Sequence, residues 1–490
     1  MRKHSIYFII LMFFFAGCAR VPEKDLASVM PAISLADSQT LALDQALFVE
    51  GDWPTEEWWE MFEDAQLTAL MEMALESNPT LQQAIAKVDE FRQEAKAARS
   101  ALFPELDANY EENWAYFSKN GFVRSFYPTM PGVIVPATTN QLDLTLNFQY
   151  EIDFWGKNRN LYRAALGLAK AQIAEAYQAR LIVTTLIAQT YFDLQANLLE
   201  RQVLEDRLDQ RGALFQLNAW RYSAGVDNGL PVLSAERDVI SVDEALIFID
   251  RAIALDEHLL KVLVGIGPDE PLLNEPLQAA FDRPFSLPTE LSIDLLARRP
   301  DLIAQIWQVE SAAKMIRVAQ ADFYPSVNLM ALAGLQSLSF SKLLRMGSKQ
   351  GALQPAIHLP IFTGGRLRAN LGAKVAQFNE AVYGYNNTLL QAAKDVADQI
   401  VTLQAAFDAF VKQETSMEVT EKRYALTWTR FKLGLDDFTT LLNYEAELLT
   451  ERSLLVFLQR DQRLAVVQLI KALGGGFTAK PPEAYSKEAS

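Results

Sequence analysis

The sequence predicts a mainly helical chain with a minority of membrane β-strands, in which one architecture is built twice. Three observations carry this. Turn and break residues recur at matched spacing: Pro79 and Pro104 are 25 positions apart, as are Pro300 and Pro325, and Gly156 to Gly225 spans 69 positions, as does Gly365 to Gly434. The stretch Leu142 to Phe154 alternates apolar and polar residues without a break. Long proline-free segments follow Gly156, as far as Pro231, and Gly365, as far as Pro481. Two units of about 200 residues therefore fill most of the chain.

The N-terminus comes first. Ile6 to Phe15 is the one long apolar run; it follows Arg2 and Lys3 and precedes Ala16-Gly17-Cys18. It is shorter than the about 20 residues a membrane helix needs, so residues 1–17 are read as a secretory signal. Phe15-Ala16-Gly17-Cys18 is similar to the site at which lipoprotein signals are cut and the new terminal cysteine is acylated, with Phe15 where Leu is usual, and Ala19 resembles the residue after it in lipoproteins sent to the outer membrane. Cys18 is the sole cysteine, so packing rather than disulfides must hold the fold. Residues 18–57, with Pro22, Pro31, Gly51 and Pro54 and little periodicity, are read as a tether from a lipid anchor.

The first unit is placed at 58–275. Trp59, Phe62, Leu67, Leu70 and Ala74-Leu75 form a helical stripe from Trp58 that Asn78-Pro79 breaks, and a second helix runs towards Pro104. In the 142–154 segment Leu142, Leu144, Leu146, Phe148, Tyr150, Ile152 and Phe154 share one face, and Asp143, Thr145, Asn147, Gln149, Glu151 and Asp153 the other. A membrane strand needs about 9–11 residues, with lipid on one side and a polar lumen on the other, so the second set is expected to line a lumen. Its expected partner is 105–117. After Gly156 one helix of roughly 65 residues, about 100 Å at 1.5 Å per residue, is expected, with Gly167 and Gly212 as possible bends. A helix of that length must pack along others. Ala224-Gly225-Val226 then turns the chain into a return helix, Gly225 suiting the left-handed cap position and Asp227 and Asn228 placed to accept bonds from the next helix.

The second unit, 276–476, repeats this order with strands near 326–335 and 352–362, the latter interrupted by Pro355 and Pro360, and with the turn Leu433-Gly434-Leu435 followed by Asp436 and Asp437. Residues 477–490 form a tail. Four membrane strands cannot close on themselves, so the chain must oligomerise; two copies would give eight strands and three would give twelve.

A formal charge of −16 argues against nucleic acid as a partner. His258 and His358 are isolated, and no phosphate-cradling loop, metal-ligand spacing or Ser/His/Asp set is present, so neither an enzyme nor a cofactor is expected.

Several motifs taken together carry a resemblance. They are Trp58-Trp59, Phe62, Asp64, Leu67, Ala74-Leu75 and Asn78-Pro79; Arg298-Arg299-Pro300-Asp301-Leu302; Phe323-Tyr324-Pro325; Pro360-Ile361-Phe362-Thr363-Gly364-Gly365-Arg366; and Leu473-Gly474-Gly475-Gly476. Over residues 54–476 the chain resembles the TolC-like outer membrane factors, most closely the lipoprotein branch of the OprM and NodT type, departing at Gln305, where Glu is usual, and at Arg317, where Gly is common. The resemblance implies a homotrimer whose twelve strands form an outer-membrane barrel continued by a periplasmic helical tunnel. It implies an exit duct of a tripartite efflux system, with the turns at 224–226 and 433–435 meeting a periplasmic adaptor, while an inner-membrane pump supplies the energy; the RND type is the class expected, with ABC and other classes left open. The family's acidic ring would fall at Thr440 and Asn443, which are not acidic; Arg430, Asp436, Asp437, Thr440 and Asn443 are therefore the gate candidates, expected to act through polar contacts between protomers.

Overall fold

The long helices recur in both copies with the same lengths. The computed structural model describes residues 25–30, 54–126, 136–272 and 298–478; the signal, Cys18, most of the tether and nearly all of the tail lie outside them. A 3-10 turn at Trp58–Phe62 precedes α1 (Ala65–Ser77) and α2 (Pro79–Ser100). Then come β1 (Glu105–Tyr116), α3 (Phe122–Phe126), β2 (Thr138–Ile152), α4 (Lys157–Ser223) and α5 (Leu230–Val264). The second copy runs α6 (Pro300–Ala321), β3 (Ser326–Ser337), α7 (Phe340–Leu343), β4 (Lys349–His358), α8 (Arg366–Lys432) and α9 (Phe438–Ala472). α2 and α6 each have 22 residues, α4 and α8 each 67, and α5 and α9 each 35.

The chain divides into two compact units. One, drawn from 25–28, 89–126, 136–170 and 307–383, holds the sheet; the other, from 29–30, 54–88, 171–272, 298–306 and 384–478, is helical. In the sheet unit the strands lie in the order β1-β2-β3-β4, all antiparallel, so β1 and β4 are its edges. Pro355, expected to interrupt its strand, lies within β4, where an edge position tolerates its missing donor. The strands of the second hairpin run further towards the loop than the sequence suggests, and β4 ends before Pro360. β2 also ends early, at Ile152, so Asp153 and Phe154 are not strand residues. Below the sheet Ile316, Ala319, Phe323, Leu367 and Leu371 form a small core. Gly167 marks no break: a Cβ there would sit 3.2 Å from that of Ser311, whose hydroxyl donates to the Ala164 carbonyl at 2.9 Å, so the glycine lets α4 and α6 touch.

In the helical unit, Trp58, Trp59 and Phe62 are buried with Leu67, Leu70, Ile187, Tyr191, Phe192, Leu260 and Ile470. The stripe read as one helix from Trp58 is interrupted: Glu63 adopts φ 47°, and Asp64 starts α1 by accepting from the Gln66 and Leu67 N–H groups. The Tyr191 hydroxyl donates to the other Asp64 oxygen at 2.7 Å, and burial, with that carboxylate close by, pushes the phenol far above its ordinary range.

The two proline motifs do one job. Asn78 donates to the Leu263 carbonyl at 2.6 Å, and Arg299 to the Ala472 carbonyl at 3.0 Å, each tying the residue before a proline to the last turn of the return helix. The chain leaves those helices through Gly265 (φ +87) and Gly474 (φ +93), where a Cβ would lie 2.5 Å and 2.4 Å from the carbonyl oxygens of Ser77 and Arg298.

Gly474→Ala should thus lower stability by at least about 2 kcal/mol, from left-handed strain plus displaced backbone. Gly212→Ala, inside α4 with nothing within 4 Å of the added carbon, should be neutral or stabilising by up to about 1 kcal/mol. Denaturation midpoints of the two purified variants check the contrast.

Candidate functional site

Two places combine exposed chemistry with fixed geometry: the faces of the sheet, and the turns joining α4 to α5 and α8 to α9. The register sorts the sheet's faces. Asp143 stands between Glu111 and Gln336, Thr145 between Asn109 and Gly334, Asn147 between Asp107 and Leu332, and Gln149 between Glu105 and Met330. Asp143 accepts from Gln336 at 2.7 Å and from Gln350 at 3.2 Å, so a polar network crosses three strands on this face. Gly334 fits here because a Cβ would fall 2.3 Å from the Leu144 carbonyl oxygen. The opposite face carries Leu106, Tyr110, Trp114, Leu144, Leu146, Phe148, Leu353 and Ile357. Much of it is bare in the single chain: Trp114 is 65% exposed, Leu146 50% and Leu353 70%.

Asp153 leaves the lumen-facing set. Its carboxylate accepts from the Asn158 and Arg159 N–H groups and the Arg159 side chain, so it caps the start of α4. The polar alternation continues past the strand only because a helix cap also calls for a small acidic residue. Glu151 stays on β2, 3.8 Å from Lys157. Just beyond the strand ends, Trp155 stacks on Tyr324 with centroids 4.7 Å apart and donates to the Pro325 carbonyl at 2.7 Å. Phe154, just past β2, and Ile361 and Phe362, just past β4, are exposed.

The turns match bond for bond. Gly225 (φ +72) donates to Tyr222 and Val226 to Arg221; Gly434 (φ +70) donates to Phe431 and Leu435 to Arg430, the double bond of a Schellman cap. Val226, Leu433 and Leu435 are exposed. Arg430 grips Asp436 through two bonds of 2.7 and 2.9 Å, and Arg221 lies 3.2 Å from Asp227. Asp227 and Asp436, read as helix caps, thus pair with arginines instead; Asn228 caps Leu230 and Asp437 caps Thr440. The spacing of six between arginine and aspartate in both copies signals the pairs. Of the gate candidates, Arg430 with Asp436 and Asp437 with Thr440 are brought together within one chain, whereas Asn443 stands exposed on α9. The Arg430 bonds hold the Asp436 carboxyl below its usual range, and the Thr440 bonds, with a lesser pull from Arg221, do the same for Asp437. Among the described residues no helix is long and apolar enough to cross a membrane, and no cluster of potential metal ligands occurs.

Comparison with known proteins places this geometry. The family model for "Outer membrane efflux protein" matches residues 70–265 and 291–475. The chain belongs to the outer membrane efflux protein family. Within this efflux family it is 29% identical over 468 residues to the multidrug resistance outer membrane protein MdtP of Escherichia coli K12, covering 95% of each chain. It is 29% identical over 486 residues to MdtQ of Escherichia coli O6:H1, covering 97% of this chain and 100% of the relative. The crystal structure of the outer membrane protein VceC from Vibrio cholerae superposes with a TM-score of 0.75 at 33% identity, over 87% of this chain and all of that one. The Campylobacter jejuni CmeC outer membrane channel shares the fold, with a TM-score of 0.84 at 23% identity over 96% and 97% of the two chains. The family is one of outer-membrane channels rather than enzymes.

Because Asp436 is held ionised by Arg430, the pair should steady the α8–α9 turn at neutral pH, keep doing so through about pH 4 where a free aspartate titrates, and fail only as pH falls further. Amide protection at 432–437, followed against pH, should show that late loss in the native protein and uniformly low protection in Asp436→Asn.

Proposed function

We propose that three copies of this chain form an exit duct through the outer membrane, passing cargo delivered by a periplasmic adaptor and an inner-membrane pump, of the RND type, to the exterior. One observation carries the reading: among the described residues the four-stranded sheet leaves its apolar face bare and has no strand beyond β1 or β4. Lipid accounts for the bare face, and further copies account for the edges, since unpaired backbone groups in lipid cost several kcal/mol each. Three copies make twelve strands and enclose a wider lumen than two.

The helices support the same assembly. α5 exposes Leu233, Ile240, Ile247, Leu255 and Val262 at intervals of seven or eight, and α8 exposes Val411, Val419 and Leu426 likewise. Rows of that period are seams for further helices. The lumen is lined by Asp143, Thr145, Asn147, Gln149 and Glu151, a lining that disfavours anions. The turns at Ala224-Gly225-Val226 and Leu433-Gly434-Leu435 present the adaptor-docking surface, and Arg430, Asp436, Asp437, Thr440 and Asn443 the gate region. Cys18 carries acyl chains that add an anchor to the barrel. The relatives MdtP and MdtQ are named for multidrug resistance, which points to drug-like cargo here.

Planar-bilayer recording should show discrete conductance steps from the purified trimer. Leu146→Arg, which puts a charge against lipid at about 2–4 kcal/mol per subunit, should abolish assembled channels, whereas Asn147→Arg should insert and shift selectivity towards anions. A native protein that is trimeric but never conducts would make it a spacer and overturn the duct.

A further inference from the structure

The described chain begins with a short arm, residues 25–30, that lies on α8 without forming a helix or strand. Two asparagines hold it. Asn379 accepts the Ala27 N–H at 2.8 Å and donates to the Asp25 carbonyl at 3.0 Å, gripping the backbone as a neighbouring strand would. Asn386, seven positions further on, accepts the Met30 N–H at 2.8 Å. Both asparagines are half-buried under the arm. Asparagine is a poor helix former whose side chain seeks backbone groups, so two of them seven apart on one helix face are suited to binding a segment of chain.

The spacing is matched. From Ala27 to Met30 an extended chain advances about 10 Å. From Asn379 to Asn386 the helix rises about 10 Å. Arm and helix therefore run parallel and in step, and these three bonds all go to the arm's backbone, so this grip sets its position without reading its side chains. Extrapolation towards the N-terminus is equally close. Asn379 lies 13 positions into α8 from Arg366, a rise of about 20 Å. Cys18 lies seven residues before Asp25, and seven residues reach at most about 24 Å. Position 18 can just reach the first turn of α8, where β4 ends and the exposed Ile361 and Phe362 stand.

We propose that Asn379 and Asn386 are positioning residues for the lipid anchor: they strap the N-terminal arm along α8 so that the chain from Cys18 to Asp25 has the length to place its acyl group at the membrane edge of the sheet, and little more. This rests on the reading of Cys18 as the acylated residue. The strap itself does not.

The test uses the full-length protein in nanodiscs, with spin labels on Glu23→Cys and Arg368→Cys; Cys18 is blocked by its lipid. The native background should give a short, narrow distance distribution. Asn379→Ala with Asn386→Ala should lengthen and broaden it while conductance persists, and Asn379→Asp with Asn386→Asp, which keep the acceptors, should give an intermediate width. Equal distributions in the native and alanine proteins would overturn the proposal. So would a distribution that collapses in Cys18→Ser but not in the alanine variant, because lipid would then be placing the arm. The mass of the N-terminal peptide reports acylation separately. An unmodified Cys18 with a short distance that the alanines abolish would remove the anchor reading and uphold the strap.

Discussion

A sheet whose two edges have no neighbour and whose apolar face has no cover among the described residues is the constraint on which this molecule depends. Four strands bury little by themselves, and Trp114, Leu146 and Leu353 stand bare in the single chain. In water such a face would aggregate; in lipid it is satisfied, but the rims at β1 and β4 then need backbone partners. Membrane location and oligomerisation are thus one requirement rather than two. The polar network from Asp143 to Gln336 and Gln350 links three strands on the opposite face.

Duplication makes the rest economical. A residue before a proline ties down the end of a return helix twice, through Asn78 and through Arg299, with different side chains but the same carbonyl target. A glycine in the left-handed region passes close to a backbone oxygen twice, at Gly265 and Gly474. An arginine reaches across a Schellman turn to an aspartate twice. The copies diverge where the strands give way to the long helices: Asp153 caps α4 with its side chain, whereas α8 starts after Gly364-Gly365, both with positive φ.

Much of this is legible in the residues alone, for local reasons. Period-two alternation announces β2, proline-free stretches announce α4 and α8, and the tip glycines announce their own backbone conformation. What is not legible is nonlocal or ambiguous. Asp153 continues the polar alternation yet serves a helix, since one residue type suits both. Trp58–Phe62 shows helical spacing but stops at Glu63, where the backbone turns so that Asp64 can meet both α1 and Tyr191. Asn379 and Asn386 look like ordinary surface residues of a helix, and only the fold brings residues 25–30 to them. The assignment of the tip residues to adaptor and gate is read from position and resemblance, and stands as a proposal.

The central claim concerns which way the side chains of β2 point. Spin labels placed one at a time from Leu142 to Gln149, in protein reconstituted into bilayers, report collision with oxygen, which partitions into lipid, and with a water-soluble nickel chelate. The account predicts oxygen maxima at 144, 146 and 148 and nickel maxima at 143, 145 and 147. Labels that meet both reagents alike, or neither with a period of two, would contradict it.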